Sequence, residues 1–262
     1  MTRLKLVALQ IAVGLALVAL WHVGSTVPIF GRTLLPPFFF STPADVAMRV
    51  AQMVAAGKIW PHIGITLLET ALSFAIGAIG GIAFGFGFAL LPTAAAVFEP
   101  YIKMANSLPR VVLAPIFMLW LGLGIWSKVA LGVSLVFFIV FFNVYRGIQE
   151  VSPVILANAR LMGLNEFQLF RHVYWPSALS WMFSSLHTSV GFALVGAVVG
   201  EYLGASAGLG YLIHEAEGVF DTTGVFAGMA VLAFFVLAID FVVTALERRM
   251  LHWQPGREDA RT

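Results

Sequence analysis

Long runs of uncharged residues constrain the fold of this chain more than any other feature. Five of these runs cover positions 70–98, 111–127, 129–145, 173–200 and 222–239. A helix needs about 20 apolar residues to cross the hydrocarbon core of a bilayer, and each run approaches or exceeds that length. Hydrophobic residues make up 60% of the chain and charged residues 11%, whereas soluble domains are about half apolar and a quarter charged. The pattern therefore predicts a polytopic, all-α membrane protein and excludes a soluble core.

The apolar runs, with the residues that interrupt them, predict about six spanning helices in a single domain of residues 1–262. They cover residues 6–24, 65–91, 98–121, 127–145, 181–201 and 225–246, so that 65–246 forms a five-span core. The third span is interrupted by Pro109 and Pro115. Residues 42–57 show the pattern of an amphipathic helix that begins with a capping box at Thr42. This helix is too short to span a bilayer. We expect it to lie in the membrane interface or, alternatively, to pack against the spans.

Glycines recur at every fourth position in the second predicted span, at Gly77, Gly81 and Gly85. Such patterns of small residues let two helices approach closely. They would serve either a contact between two chains or packing within one chain. We favour packing within the chain, because helix bundles commonly use these patterns in that way.

Six spans place both termini on one side of the membrane, and the basic residues predict which side. Cytoplasmic segments carry the excess of Lys and Arg. With the termini and the segment 146–180 inside, nine basic residues are inner and four are outer. The inner residues are Arg3, Lys5, Arg146, Arg160, Arg171, Arg248, Arg249, Arg257 and Arg261, and the outer ones are Arg32, Arg49, Lys58 and Lys128. The count predicts cytoplasmic termini.

Residues suited to catalysis are sparse. The six histidines are scattered, with no pair at the spacing of one helical turn, and there is no cysteine. No phosphate-binding GxxxxGK(S/T) loop occurs, because Gly57-Lys58 is followed by Ile59. We therefore predict no catalytic, cofactor or metal site, and we expect any nucleotide used for transport to bind another chain. Glu69 and Asp240 lie near predicted span ends, where a functional role and helix-end solvation are equally good interpretations.

The polar segment 152–176, between two long apolar runs, predicts two short helices. Ser152 is a good N-cap and Gly163 a good helix terminator. Asn165 begins a capping box for the second helix, which we expect Pro176 to stop. A structured polar insert between membrane spans indicates a partner protein.

This segment resembles the cytoplasmic signature of permease subunits in binding-protein-dependent ABC importers. The signature reads Glu-Ala-Ala, three residues, Gly, nine residues, then Ile-x-Leu-Pro. With Gly163 at the signature glycine, the first positions hold Ala157, Asn158 and Ala159, and the last hold Val173, Trp175 and Pro176. The chain departs from the signature at Ala157, Asn158 and Trp175. Flanking stretches resemble the nitrate, sulfonate and taurine branch of the family, at residues 107–129, 165–179, 199–213 and 220–232.

The resemblance implies the type I ABC importer permease fold in the bacterial inner membrane. It implies a permease homodimer, two cytoplasmic ATPase subunits that hold ATP and Mg²⁺, and a periplasmic binding protein that delivers a small, anionic solute such as nitrate, a sulfonate or taurine. The coupling loop 147–180 would dock on the ATPase through Ala157, Asn158, Ala159, Arg160, Gly163, Glu166 and Pro176. Because alanine replaces the signature glutamate, we expect Glu166 or shape complementarity to carry the docking.

Candidate pathway-lining residues are the polar groups within or at the edges of the spans. They are Asn106, Ser107, Arg110, Asn143, His187 and Ser189. Arg110 suits an anionic solute, and snorkelling from a helix end explains it equally well.

The segment 200–221, between the fifth and sixth predicted spans, is acidic. It carries four carboxylates and no Lys or Arg, at Glu201, Glu215, Glu217 and Asp221. On the outer side these side chains would either face the binding protein or simply be solvated.

An ion-coupled secondary transporter that acts without an ATPase is the alternative function. Such a carrier would need paired carboxylates near the middle of the membrane or inverted repeats with broken helices. Neither feature is evident in the sequence.

Overall fold

The computed structural model describes residues 3–29 and 32–250, and α-helices dominate them. The first six helices are α1 (Arg3–Thr26), α2 (Pro37–Phe40), α3 (Pro43–Ala55), α4 (Ile59–Leu90), α5 (Pro92–Ser107) and α6 (Ala114–Leu121). The next six are α7 (Ile125–Gln149), α8 (Pro153–Leu161), α9 (Glu166–Leu169), α10 (Trp175–Gly204), α11 (Leu209–Gly218) and α12 (Thr222–Met250). Strands β1 (Pro28–Ile29) and β2 (Arg32–Thr33) form a very short antiparallel pair. The predicted all-α class is confirmed.

Among the described residues, five helix segments are long and apolar enough to cross a membrane: α1, α4, α7, α12, and α10 together with α11. The α5 and α6 segments pass the same test only as a pair and meet at 89°. The predicted third span, 98–121, corresponds to this bent pair, with the interruption at Pro109 that the sequence predicts. Pro109 disfavours helical backbone at Leu108, which is extended with φ −66° and ψ 131°, so the helix breaks there. The count of about six spans is confirmed if the bent pair is one span.

Helices α4 and α7 pack parallel to each other, with glycine facing valine along the contact. A Cβ atom on each of these glycines would lie 2.7–2.8 Å from the facing valine Cβ, closer than real Cβ atoms come. The pairs are Gly77 with Val136, Gly81 with Val140, and Gly85 with Val144, so one turn along α4 corresponds to one turn along α7. The glycine pattern therefore serves packing within the chain, and the prediction that favoured this is confirmed.

Helix α10 packs antiparallel against α7. A Cβ on Gly196 of α10 would overlap the backbone of Gly132 on α7, and one on Gly147 would reach within 3.0 Å of Trp181. Gly132 is also in contact with Ser73 of α4. The α7 helix is thus the centre of the bundle, and its valines that face α4 are fully buried.

Helix α3 corresponds to the amphipathic helix predicted for 42–57. The N-cap Thr42 Oγ1 accepts a hydrogen bond from Asp45 N at 3.1 Å. Arg49 of α3 forms an ion pair with Asp221, just before α12, so α3 packs against the start of that helix. Its position relative to the membrane interface stays a prediction.

Helix α12 begins beside α11 and then runs along α10 towards the end of the bundle that carries α8. A Cβ on Gly228 would lie 2.8 Å from Ile213 of α11, and further along Asp240 Oδ1 lies 3.7 Å from His187 Nε2 of α10. Arg257 and Arg261, both counted above as inner residues, lie outside the described residues.

Candidate functional site: the coupling segment and a buried charged cluster

The polar segment 152–176 folds locally as its caps predict. Ser152 Oγ accepts a hydrogen bond from Val154 N at 3.3 Å. Gly163 has a φ of +82°, a conformation that glycine adopts without the strain that a Cβ brings. Asn165 and Gln168 form both hydrogen bonds of a capping box, each 2.9 Å long. These three predictions are confirmed.

Pro176 does not stop the second helix, contrary to our prediction. Helix α9 continues through a π-helical turn, Phe170–Tyr174, directly into α10. In this turn the N–H of Trp175 donates to the carbonyl of Phe170, five positions back. The wider turn relieves the clash that a proline ring makes with the preceding turn of an α-helix, and Pro176 lies in the first turn of α10. The coupling segment is therefore continuous with the α10 span.

Aromatic contacts attach this continuous helix to the rest of the bundle. The Phe170 and Trp175 rings lie 5.2 Å and 5.5 Å from the Phe86 ring of α4. Phe167, by contrast, is exposed. These contacts hold the π-helical turn and the start of α10 against α4.

The coupling-loop residues named by the family resemblance differ in exposure. Ala159 is buried against the chain, and the others are exposed. Arg160 and Glu166 approach each other at 3.8 Å across the turn between α8 and α9. The exposed residues include an apolar set that we name the coupling face: Val154, Leu161, Met162 and Phe167.

A cluster of three charged residues lies at the opposite end of the bundle. Glu69 of α4, Lys128 of α7 and Glu201 of α10 are each at most 2% exposed. The helix registers bring them to one level. Gly77 of α4 pairs with Val136 of α7, and the same number of positions back along each helix leads to Glu69 and Lys128, which therefore lie side by side. Gly200 of the antiparallel α10 also lies against Lys128.

Lys128 satisfies its ammonium group with backbone carbonyls. Its Nζ donates to Gly124 O at 3.1 Å, to Gly204 O at 2.8 Å, and also to Leu123 O. These carbonyls belong to the turn between α6 and α7 and to the last residue of α10. Glu69 and Glu201 lie near enough to interact electrostatically with the ammonium. One lysine therefore joins α6, α7 and α10 with its own charge satisfied.

Glu201 and two residues of α4 cap the first N–H groups of α11. A helix N-terminus carries partial positive charge and unpaired N–H donors, so a carboxylate there is favourable. The bonds are Gly208 N to His62 Nδ1 at 3.0 Å, Leu209 N to Thr66 Oγ1 at 2.9 Å, and Gly210 N to Glu201 Oε2 at 2.7 Å. The Thr66 hydroxyl donates to Glu201 Oε1 at 2.6 Å. A Cβ at Gly208 would overlap the Glu201 carboxylate, so the turn before α11 needs glycine.

Sequence reasoning misses this cluster. The sequence pattern places Lys128 and Glu201 in outer segments, whereas both side chains are buried in the bundle. Without Lys128, three of the four basic residues counted as outer remain. The pattern also places Glu69 near a span end, whereas it lies nearly three turns inside α4. The feature of the sequence that could have indicated the cluster is Lys128, an isolated lysine between the uncharged runs 111–127 and 129–145.

The bend between α5 and α6 brings two of the candidate pathway residues together. Arg110 donates to Asn106 Oδ1 at 2.8 Å and Asn106 O at 3.0 Å, and to Ala105 O at 2.7 Å. Its guanidinium also lies 4.4 Å from the centre of the Phe138 ring. Arg110 thus satisfies carbonyls at the end of α5, where the helix breaks. Ser107, which follows Asn106 in the chain, donates to Met104 O at 2.8 Å.

The other candidate pathway residues lie on α7 and α10. Asn143 donates to Ile139 O of its own helix at 2.8 Å. On α10, Ser189 is fully buried, whereas Thr188 beside it is exposed and His187 is half-buried. Their role in a pathway stays a prediction.

The fold and these sites define a class of protein: a multi-pass helical membrane protein that carries an exposed, well-capped polar segment between two central spans. The chain matches the family described as the binding-protein-dependent transport system inner membrane component over residues 77–252. It belongs to this family. The protein is therefore a permease subunit of an ABC importer in the inner membrane. It works with an ATPase and a solute-binding protein, and the separate ATPase subunit hydrolyses ATP.

Individual relatives agree with the family over most of the chain. A putative aliphatic sulfonates transport permease of Bacillus subtilis is 29% identical, over 92% of this chain and 86% of its own. The riboflavin transport system permease of Chloroflexus aurantiacus is 31% identical, over 91% and 87%. A solved inward-facing structure of the MetNI methionine ABC transporter shares the fold, with a TM-score of 0.63 at 17% identity, covering 74% of this chain and 97% of that one. The resemblance found in the sequence is confirmed.

Proposed function

We propose that two copies of this chain enclose the solute path of the importer and that α8 and α9 dock on an ATPase that holds ATP and Mg²⁺. The coupling face is the observation that supports the docking most. Leu161 is 86% exposed, and three further apolar side chains of this segment are exposed with it. Several large apolar side chains exposed on one short polar segment mark an interaction site. Small Ala157 and the Arg160–Glu166 contact would shape its edge.

The close packing of α4, α7 and α10 supports the pairing of two copies. Glycine contacts at Gly81, Gly132 and Gly196 hold these three helices close together, which supports a solute path outside their contacts rather than between them. A path must then run along an outer face of the bundle, and a second copy would enclose it. Cytoplasmic termini and a cytoplasmic 147–180 loop agree with the charge count, more clearly now that Lys128 is not an outer loop residue.

For the solute we propose a small organic anion of the sulfonate type. The resemblance to the nitrate, sulfonate and taurine branch and the relative named for aliphatic sulfonates support this choice. The relative named for riboflavin shows that the family as a whole takes chemically different solutes. We propose that the binding protein docks at the outer segment after α10, without Glu201, which is buried.

Reconstitution tests this function. The chain is purified with its ATPase, placed in liposomes, and supplied with the partner binding protein, whose ligand is first identified by calorimetry. We expect uptake that requires both ATP and the binding protein. Uptake by this chain alone, driven by an ion gradient, would support the secondary transporter instead and refute the proposal.

Leu161→Asp tests the coupling face directly. We expect solute uptake to fall at least about tenfold and the ATPase to lose stimulation by loaded binding protein, because a charge replaces the most exposed apolar side chain of the coupling face. Leu161→Met is the matched control, since it keeps an apolar side chain of similar size. Both variants should melt like the wild type, because Leu161 is exposed in the isolated chain. Wild-type uptake by Leu161→Asp would remove α8 from the interface.

A further inference from the structure

A polar patch lies on the exposed surface halfway along α10. Ser184 and Thr188 are exposed one turn apart, and His187 lies between them on the same side of the helix. Gly191 continues this face, and a Cβ added there would meet no other atom within 4 Å. A strip of polar or small residues thus runs for about two turns along one exposed face of α10.

Asp240 of α12 adjoins this patch. Its side chain is 65% exposed, and its Oδ1 lies 3.7 Å from His187 Nε2. The neighbouring exposed side chains on α12 are apolar, as at Phe234, Leu237 and Phe241. Asp240 is therefore a carboxylate exposed on a surface that otherwise suits lipid.

Both parts of the patch lie within candidate membrane spans. Thr188 belongs to the candidate span Trp181–Gly218, about 10 Å along the helix from Trp181. Asp240 belongs to the candidate span Thr222–Ala245 and lies five residues before its last residue, which agrees with the sequence pattern that places it near a span end. Aspartate in contact with hydrocarbon is unfavourable, and its short side chain cannot reach the interface as lysine can. The surroundings of Asp240 must therefore be water or a polar partner.

We infer that Ser184, His187, Thr188 and Asp240 line a hydrated part of the solute path, where the His187–Asp240 pair selects solutes that carry an amino group beside their anionic group. The inference rests on the proposed function, because it requires a path along an outer face of the bundle. It also narrows that function. A carboxylate in a path of low dielectric repels a simple anion and attracts an ammonium group, while an imidazole N–H can donate to a sulfonate oxygen. Together the two side chains complement a zwitterion.

Cysteine accessibility tests whether the patch is hydrated. The chain contains no cysteine, so single-cysteine variants give no background in a cysteine-free assembly. Thr188→Cys, in the permease–ATPase complex in nanodiscs, should react with a charged methanethiosulfonate at least about tenfold faster than Leu237→Cys. Leu237 is the matched control because it is 67% exposed, one turn from Asp240, and apolar. Equal, slow reaction of both cysteines would mean that lipid or the second copy covers the patch, and would overturn the inference.

Protection of Thr188→Cys tests the selectivity. Taurine and ethanesulfonate share one skeleton and differ by the amino group. We expect taurine to slow the labelling at about tenfold lower concentration than ethanesulfonate, because a charge-assisted hydrogen bond accounts for a difference of this order. Asp240→Asn should remove the difference, and Asp240→Glu should retain it. Labelling of Thr188→Cys in the Asp240→Asn background reports whether that variant is folded.

The outcomes separate this inference from the proposed function. Equal protection by the two probes, or none, in a complex that performs ATP-driven uptake overturns the selectivity and leaves the importer function intact. Loss of the preference in Asp240→Glu as well would make Asp240 a packing residue, which also contradicts the inference. A wild-type complex with no ATP-dependent uptake contradicts the proposed function, whatever the labelling shows.

Discussion

Lys128→Met will lower the free energy of unfolding by about 3–5 kcal/mol, the largest loss that we expect from a single substitution in this chain. The variant removes the cation from a buried site that keeps two carboxyl groups, at Glu69 and Glu201. It also leaves the carbonyls of the α6–α7 turn and of Gly204 without their donor. Thermal unfolding of the purified protein in detergent should show a melting temperature lower by about 10 °C.

Two further variants make this prediction specific. Lys103→Met removes a lysine that is 69% exposed and paired with Glu99, and it should cost less than about 1 kcal/mol. Lys128→Met combined with Glu201→Gln removes charges of both signs and should recover part of the loss, because the uncompensated charge is smaller. If Lys128→Met melts at the same temperature as Lys103→Met, the cluster does not hold these ends of the helices together.

Gly81→Ala will destabilise the protein by about 1–3 kcal/mol, although alanine is the better helix former. The new methyl group would lie 2.7 Å from Val140 Cβ, 2.8 Å from the carbonyl oxygen of Phe137 and 3.0 Å from the N atom of Phe141. Two of these atoms are backbone, so α4 and α7 would have to move apart along their contact. The measurement is again the melting temperature, with uptake as a second readout.

Gly87→Ala, on the same helix, is the matched control for this prediction. No atom lies within 4 Å of the position that a Cβ would take at Gly87. Without a clash, only the higher helix propensity of alanine remains, and the variant should be neutral or more stable by up to about 1 kcal/mol. A similar change in both variants, in either direction, would show that the close approach of α4 and α7 contributes nothing to stability.

Much of the coupling segment could be predicted from sequence because it depends on local chemistry. The N-cap at Ser152, the positive φ at Gly163 and the Asn165–Gln168 capping box each involve residues within one helical turn of each other. The fate of Pro176 was different. A proline after a helical segment usually ends it. Here a π-helical turn lets the helix continue, and the packing of Phe170 and Trp175 on Phe86 accompanies this turn in the tertiary structure.

The charged cluster could not be assembled in the same way. Glu69, Lys128 and Glu201 are far apart in the sequence, on three different helices. Each has an ordinary interpretation as a residue near the end of a span or in an outer segment.

Run length, capping and short motifs are local properties, and they were enough to establish the all-α membrane class, the number of spans, the capped coupling segment and the family. Which residues share a level of the bundle emerged only from the packed helices. That arrangement depends on the register of α4, α7 and α10, which contacts between small residues set at Gly81, Gly132 and Gly196. A single glycine pattern is compatible with several partners and registers, so the burial of Lys128 follows only once the three helices are packed.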